Sequence, residues 1–227
     1  MPGHGAMEFW AYVPSLARGA LVTAGITLAA IAIGAVSAFV AGIARVEGGR
    51  IAAAIALCYT EVFRGTSLLV QLFWFYYALP LVGLTLEPVA TGVTVLALHV
   101  GAYGSEIVRG ALNAVSPLQR EAARALNFGR GHTLVHVVLP QAVVEMMPAL
   151  GNLAIETLKL SSLVSLISIT DLTFRAQAMR NLTLDSTTVY ALTLIGYFAM
   201  SLVLMLALRL VERLVRRGAA FPKAAHA

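Results

Sequence analysis

The chain has 227 residues, of which 59% are hydrophobic and only 12% are charged. Soluble domains are nearer about 45–50% apolar and about 25% charged, so the composition excludes a soluble globule, as well as a disordered or disulfide-stapled chain. It predicts an all-α polytopic membrane protein that forms a single domain over residues 1–227, with the lipid bilayer as its solvent. The formal charge of +5 does not indicate nucleic-acid binding, because no run of five basic residues occurs.

The cysteine and histidine residues limit the redox and metal chemistry. The single cysteine, Cys58, excludes an internal disulfide, and we expect it to be a small buried apolar residue. His132 and His136 are four residues apart, but no acidic residue lies between them. The sequence therefore predicts no metal site.

Five apolar segments approach the roughly 20 residues that a transmembrane helix needs. Four of them, residues 19–44, 65–86, 88–105 and 186–208, contain no Asp, Glu, Lys or Arg. The fifth, residues 139–169, contains Glu145, Glu156 and Lys159. We predict five transmembrane helices in a helical core of about residues 15–217, followed by a disordered tail at residues 218–227.

The distribution of basic residues predicts the orientation. One side of the membrane would hold three of them, Arg18, Arg175 and Arg180, while Lys159 lies within a span. The opposite side would hold the other twelve, which are Arg45, Arg50, Arg64, Arg109, Arg120, Arg124, Arg130, Arg209, Arg213, Arg216, Arg217 and Lys223. Because the basic side is cytoplasmic, the N-terminus is expected outside and the C-terminus in the cytoplasm.

Small residues recur every four positions in the first span, at Ala30, Gly34, Ala38 and Gly42. Such a stripe lets a neighbouring helix approach closely. The alternative is a chance distribution of small residues in an alanine-rich helix.

The long polar stretch between the third and fifth spans, residues 106–140, contains signals of local structure. Ser116 and Gln119 match a capping box, with Pro117 at the first helical position. The pattern predicts a helix over residues 117–126 with one apolar face, and Glu121 and Arg124 are spaced to pair. A second short helix is expected on the outer face, within residues 171–185.

The end of the loop helix is also marked in the sequence. Asn127 follows it directly, and asparagine readily adopts the left-handed conformation that ends a helix. Gly129 and Gly131 are expected to let the chain turn after it. The apolar face of this helix either lies on lipid or on the base of the bundle, or it docks onto a soluble protein.

These residues resemble a known family. The spacing of Glu121-Ala122-Ala123, Asn127, Val137 and Leu139-Pro140 is similar to the "EAA" loop of ABC importer permeases. Three further segments resemble permeases of the polar amino acid family, in the same order along the chain: residues 59–71 (YTEVFRGTSLLVQ), 102–110 (AYGSEIVRG) and 158–167 (LKLSSLVSLI). Residues 168–177 (SITDLTFRAQ) resemble the ectoine and hydroxyectoine permeases of this family.

The chain departs from the family pattern at two places. Asn127 replaces the loop glycine, although it can form the same left-handed turn. Leu160 and Ser161 stand where the family usually has an acidic residue and a threonine, which bears on the choice of solute.

The resemblance implies the MetI-like fold of ABC importer transmembrane domains, in the bacterial inner membrane. It implies a permease for a polar amino acid or an amino-acid-derived solute, with ectoine or hydroxyectoine favoured, working by alternating access. The segment that couples the permease to its ATPase would lie in the loop of about residues 109–139 and consist of Glu121, Ala122, Ala123, Arg124, Ala125, Leu126, Asn127 and Gly129. Its implied partners are a cytoplasmic ABC ATPase dimer, a second permease copy or paralogue, and an extracytoplasmic solute-binding protein.

The chain has no GxxxxGK(S/T) motif to hold ATP, so ATP and magnesium are expected on the partner ATPase and no cofactor on this chain. The chain itself is therefore not expected to be an enzyme.

Polar residues at bilayer depth are candidates for the substrate pathway, because such residues normally face the protein interior or a cavity. Glu156 and Lys159 either form a packing ion pair or bind the two charges of a zwitterion. Ser161 and Ser162 either contact the solute or satisfy a broken helix. His99 and Gln71 are pathway candidates, with ordinary packing as the alternative.

Two other classes of function are weighed against the importer. A self-sufficient carrier or channel would transport without ATP or a partner. An intramembrane enzyme would need a nucleophile beside a base, and nothing in the sequence places His99 beside Ser105.

Overall fold

The structure is a computed structural model that describes the backbone of residues 4–218 and the side chains of residues 12–217. Within that range the chain forms nine α-helices joined by short turns. They are α1 (His4–Glu47), α2 (Arg50–Gly65), α3 (Leu68–Phe73), α4 (Pro88–Ala114), α5 (Pro117–Ala125), α6 (Arg130–Thr133), α7 (Leu139–Leu160), α8 (Leu172–Thr183) and α9 (Ser186–Gly218).

Three of the predicted spans correspond to long apolar helical segments. Among the described residues, the segments long and apolar enough to cross a bilayer are Tyr12–Glu47, Arg130–Ile167 and Ser186–Arg217. The bent pair of Arg50–Gly65 and Leu68–Val82 would make a fourth. Of the predicted tail, residues 219–227 lie outside the described residues, and Gly218 is the last residue of α9.

The second predicted span, residues 65–86, is not one straight helix. Thr66 and Ser67 are extended, and they separate α2 from α3 by a bend of 102°. After α3 the chain continues through a π-helical turn (Trp74–Ala78) and a 3-10 turn (Leu79–Val82) that ends at Gly83, with φ of 86°. The sequence did not reveal the break, because residues 65–86 contain no charged residue and hydropathy carries no information on the direction of the backbone.

Helix α4 packs along α1 through the predicted stripe of small residues. A Cβ atom added to Gly34 would lie 2.5 Å from Val100 Cβ, and one added to Gly42 would lie 2.7 Å from Val108 Cβ. Ala30 and Ala38 are fully buried on the same face. The stripe is therefore a helix-packing surface, in which glycine is required because the backbones lie so close.

The prediction that Cys58 is buried is wrong, since its side chain is exposed on α2. It shares this exposure with the neighbouring residues Ile55, Leu57 and Val62. An apolar face left open by the chain itself suits a lipid environment, where a thiol behaves as a small apolar group.

Candidate functional site

Helix α5 has the local structure that the sequence predicts, except at its N-terminal cap. Pro117 occupies its first turn, but the Ser116 side chain makes no capping hydrogen bond, so the predicted capping box is wrong. Instead, the Ser116 carbonyl accepts a hydrogen bond from the Gln119 amide at 3.0 Å. The fixed φ of proline and this backbone bond suffice to start the helix.

The C-terminal end of α5 is a Schellman motif. Asn127 is left-handed, with φ of 60°. Its amide donates to the Arg124 carbonyl at 2.9 Å, and the Phe128 amide donates to the Ala123 carbonyl at 3.0 Å. Gly129 has an extended backbone, with φ of −67°. The left-handed turn is therefore made by Asn127 and not by Gly129, which was expected to let the chain turn.

Two residues fasten α5 to the rest of the bundle. Ala123 is 3% exposed and faces inward. Arg120 forms an ion pair with Glu47 at the end of α1, and its Nη2 donates to the Leu112 carbonyl at 3.2 Å. The predicted ion pair of Glu121 with Arg124 does not form. Neither residue makes an ion pair with any described residue.

The opposite face of α5 is uncovered. Leu118 is 71% exposed and Leu126 is 69% exposed. Glu121, Ala122 and Ala125 are exposed beside them. A helix held on one side and open on an apolar, small-residue side is a surface suited to a protein partner.

A cluster of charges lies at the end of α4 near this loop. The Glu106 carboxylate forms ion pairs with Arg45 from α1, with Arg64 from α2 at 3.5 Å, and with Arg109 at 2.7 Å. Arg64 also lies over the ring of Tyr103, 5.3 Å from its centroid. One carboxylate therefore joins three helices, which we call the Glu106 cluster (Arg45, Arg64, Glu106 and Arg109).

Polar side chains form an exposed face on α7, within the candidate span Arg130–Ile167. Asn152, Glu156 and Lys159 are exposed at positions i, i+4 and i+7, which share one side of a helix. Lys159 lines a cleft of about 450 Å³ between α7 and α9, together with Tyr197 and Ser201. Glu156 and Lys159 do not form the ion pair considered for them, since no such pair lies within 4.0 Å among the described residues.

The serines after α7 bond to their own backbone. Ser161 Oγ donates to the Leu158 carbonyl at 2.7 Å, and Ser162 Oγ donates to the Lys159 carbonyl at 2.9 Å. They stand where α7 tightens into a 3-10 segment, Ser161–Ile167. This arrangement agrees with the interpretation in which they satisfy a change in the helix.

His99 and Gln71 are both buried and have different surroundings. His99 is 6% exposed and stacks on Tyr103 with ring centroids 4.4 Å apart, and its ring nitrogens have no hydrogen-bond partner among the described residues. Gln71 Nε2 donates to the Phe63 carbonyl at 3.0 Å and to Thr66 Oγ1 at 2.7 Å. Gln71 thus stabilises the bend between α2 and α3.

A polar network at the start of α8 was not predicted. Asp171 is fully buried, and its Oδ1 accepts a hydrogen bond from the Phe174 amide at 2.8 Å. The Leu172 amide donates to Thr23 Oγ1 of α1 at 3.1 Å, and Tyr197 of α9 donates to Asp171 Oδ2 at 3.4 Å. Burial raises the pKa of the Asp171 carboxyl above its ordinary value. The signal in the sequence was an aspartate just before a helix, which is typical of an N-cap.

Known proteins are similar to this chain over most of its length. A family model, "Binding-protein-dependent transport system inner membrane component", matches residues 30–217. A probable amino-acid ABC transporter permease protein, y4tF of Sinorhizobium fredii, is 50% identical over 96% of this chain and 94% of its own length. The glutamine transport system permease protein GlnP of Escherichia coli is 36% identical over 90% of this chain and 94% of its own.

Solved structures share the fold. The crystal structure of an amino acid ABC transporter with histidines superposes with a TM-score of 0.84 at 34% identity, over 91% of this chain and 97% of that one. An inward-facing MetNI methionine ABC transporter superposes with a TM-score of 0.76 at 17% identity, over 88% and 96%. These likenesses confirm the predicted resemblance to ABC importer permeases for amino acids, the MetI-like permease fold and the multi-pass location in the inner membrane. This chain belongs to the family of inner membrane components of binding-protein-dependent transport systems, in which the ATPase is a separate subunit.

Proposed function

We propose that this chain, the permease subunit of an amino-acid ABC importer, carries a polar amino acid or an amino-acid-derived zwitterion and is coupled to its ATPase through α5. The open face of α5 carries the proposal, because this helix is anchored by Arg120 and Ala123 while none of the described residues covers Leu118 and Leu126. A cytoplasmic ABC ATPase dimer would cover it, with ATP and magnesium bound there. Glu121, which forms no ion pair with any described residue, would set the register by charge.

The exposed polar face of α7 indicates the pathway. Charged side chains are expensive in hydrocarbon, so Glu156 and Lys159 need a partner chain or an aqueous cavity beside them. A second permease copy or paralogue facing α7 would enclose such a cavity. Carrying both signs of charge, the face suits a zwitterionic solute.

The proposed topology has five spans, with the N-terminus outside and the C-terminus in the cytoplasm. The span additional to those found by length and apolar composition is α4, whose 27 residues are enough to cross a bilayer. The distribution of basic residues puts α5 in the cytoplasm. An extracytoplasmic solute-binding protein would then deliver the solute near α8.

Two lines of support bear on the solute. The relatives include permeases named for glutamine and for L-cystine. The resemblance of residues 168–177 to ectoine permeases favours ectoine or hydroxyectoine among the zwitterions. A panel of glutamine, cystine, arginine and ectoine in one uptake assay would decide between them.

Charge reversal at Glu121 tests the coupling. The experiment compares Glu121→Lys with wild type in proteoliposomes that hold the permease, its ATPase and the binding protein. We expect solute uptake to fall by about tenfold or more while ATP hydrolysis persists, because like charges across a docking surface cost several kcal/mol. The matched control is Glu212→Lys, which reverses a partly exposed acid on α9. Uptake in Glu121→Lys equal to that in the control would overturn the coupling role of α5.

Removal of the charges on α7 tests the pathway. The double variant Glu156→Gln/Lys159→Met is expected to raise the KM for uptake by about a hundredfold, since each of the two lost charged contacts costs roughly 1.5 kcal/mol or more. The control is Glu212→Gln/Arg216→Met, which removes one acid and one base from a partly exposed pair on α9. An unchanged KM would leave Glu156 and Lys159 with a packing role only.

A further inference from the structure

A cavity of about 330 Å³ lies behind α5, on the side that faces the bundle. It is bounded by the end of α1, by α5 and by the start of α6. Its lining residues are Val46, Glu47, Gly48, Arg120, Arg124, Phe128, Arg130 and Thr133.

The cavity carries an excess of positive charge. Arg120 is neutralised by Glu47, which also fixes its orientation. Arg124 and Arg130 form no ion pair with any described residue, so two guanidinium groups face the cavity side without a counter-ion from this part of the chain. Guanidinium groups present N–H donors in a planar fork that matches the oxygens of a phosphate.

A buried hydroxyl lies beside these arginines. Thr133 is 7% exposed, and its Oγ1 has no hydrogen-bond partner among the described residues. A buried hydroxyl without a partner is costly, so a ligand that accepts its hydrogen bond would be favoured. Threonine in a helix divides between two χ1 rotamers, which allows the hydroxyl to turn toward the cavity.

The cavity is bordered by the ends of two candidate membrane spans. Glu47 ends the apolar helix α1, and Arg130 begins the apolar segment Arg130–Ile167. The coupling face of α5, with Leu118 and Leu126, points away from the cavity, so a ligand here does not occupy the surface offered to the ATPase.

We propose that this cavity binds a phosphate group through Arg124, Arg130 and Thr133, and that the bound phosphate fixes the position of α5 against α1. Two sources carry this chemistry, the headgroup of an anionic phospholipid and free inorganic phosphate. Phosphate binding at this site does not depend on which solute the permease carries. A failure to detect phosphate binding would therefore leave the transport proposal intact.

Native mass spectrometry of the permease–ATPase complex in a neutral detergent tests the site. The complex is titrated with dioctanoyl phosphatidylglycerol, with dioctanoyl phosphatidylcholine and with sodium phosphate. We expect phosphatidylglycerol to bind at least about tenfold more tightly than phosphatidylcholine, because the acid in the lining, Glu47, is already paired with Arg120 and is not available to the choline group. Displacement by millimolar phosphate would identify free phosphate as an adequate ligand, whereas binding that resists phosphate would identify the lipid.

The variants are Arg130→Gln and Arg124→Gln/Arg130→Gln. Each lost arginine is expected to weaken binding of phosphatidylglycerol by about tenfold. Arg216→Gln and Arg216→Gln/Arg217→Gln remove the same charge from the end of α9 and are expected to bind within about twofold of wild type.

The same spectra report the ratio of permease to ATPase, which shows whether each variant folds and assembles. Equal loss of binding in the control variants would mean that general charge attracts the lipid, and it would overturn the proposal. Loss of the ATPase from Arg130→Gln with unchanged lipid binding would show that the cavity is an ATPase contact, and it would overturn the proposal as well.

Discussion

Replacement of Glu106 by glutamine removes the one carboxylate that holds three arginines together. The side chains of Arg45 and Glu106 are 13% and 20% exposed, so the pair is largely shielded from water. Breaking a fully buried pair costs about 3–5 kcal/mol, and the partial exposure of Arg64 and Arg109 reduces this. We therefore expect Glu106→Gln to lower the free energy of unfolding by about 2–3 kcal/mol, which corresponds to about 4–12 °C in Tm for a chain of this size.

Thermal unfolding of the purified complex, followed by loss of helical circular dichroism, measures this effect. Glu212→Gln is the control, because it breaks a single ion pair with Arg216, whose side chain is 54% exposed, and it should cost less than about 1 kcal/mol. The double variant Glu106→Gln/Arg45→Gln should recover part of the loss, since it removes one of the three arginines left facing one another. A Tm for Glu106→Gln that matches the control would refute the view that this carboxylate balances the cluster.

Two further predictions concern stability. Gly34→Ala should lower the free energy of unfolding by about 1–3 kcal/mol, because the new Cβ would lie 2.5 Å from Val100 Cβ and 2.8 Å from the Ala97 carbonyl oxygen; Gly25→Ala, where nothing lies within 4 Å, should be neutral or stabilising, and equal effects would contradict the packing argument. As pH rises, the free energy of unfolding of Asp171→Asn should increase relative to that of wild type. Burial raises the folded pKa of Asp171 above its ordinary 3.8, so the folded state binds more protons and wild type loses stability as pH climbs from the unfolded toward the folded pKa. Tm measured between pH 4 and 7 would show this, and a constant difference between the two proteins would exclude it.

Features with local signals could be predicted from the sequence. The bounds of α5 follow from Pro117 at its start and from Asn127 at its end, and Asn127 is left-handed as expected. The packing of Gly34 and Gly42 against α4 follows from a periodic stripe. In each case the physical cause lies within a few residues of the position that shows the effect.

Features that depend on distant residues could not be predicted. Arg45 and Glu106 are 61 positions apart, and Glu47 and Arg120 are 73 apart, so no pattern in the sequence pairs them. The nearby Glu121–Arg124 spacing looked more favourable and forms no pair. The bend stabilised by Gln71 was hidden for a related reason, since its three acceptors come together only after the chain has turned.

The long-range pairs bear on how a movement of α5 reaches the membrane interior. Arg120 ties α5 to α1, so α5 cannot be displaced from the bundle without breaking that ion pair or carrying the end of α1 with it. Helix α1 is in turn locked to α4 where Gly34 and Gly42 bring the backbones together, and interdigitated packing of this kind resists sliding.

The Glu106 cluster connects the rigid unit of α1 and α4 to the surroundings of the buried His99. Glu106 and His99 lie on the same helix, α4, and Arg64 of α2 contacts both Glu106 and the ring of Tyr103, which stacks on His99. Because α4 is one continuous helix over Pro88–Ala114, a rotation of its C-terminal end turns His99 as well. The side chain of Arg64 is 38% exposed and its carboxylate contact is the longest of the three, at 3.5 Å, so the link to α2 is the weakest connection in the cluster. The cluster itself would therefore open first at Arg64, while the hydrogen bonds from the Tyr59 hydroxyl to the Leu98 carbonyl (2.7 Å) and between Thr60 and Ser105 (3.0 Å) still join α2 to α4.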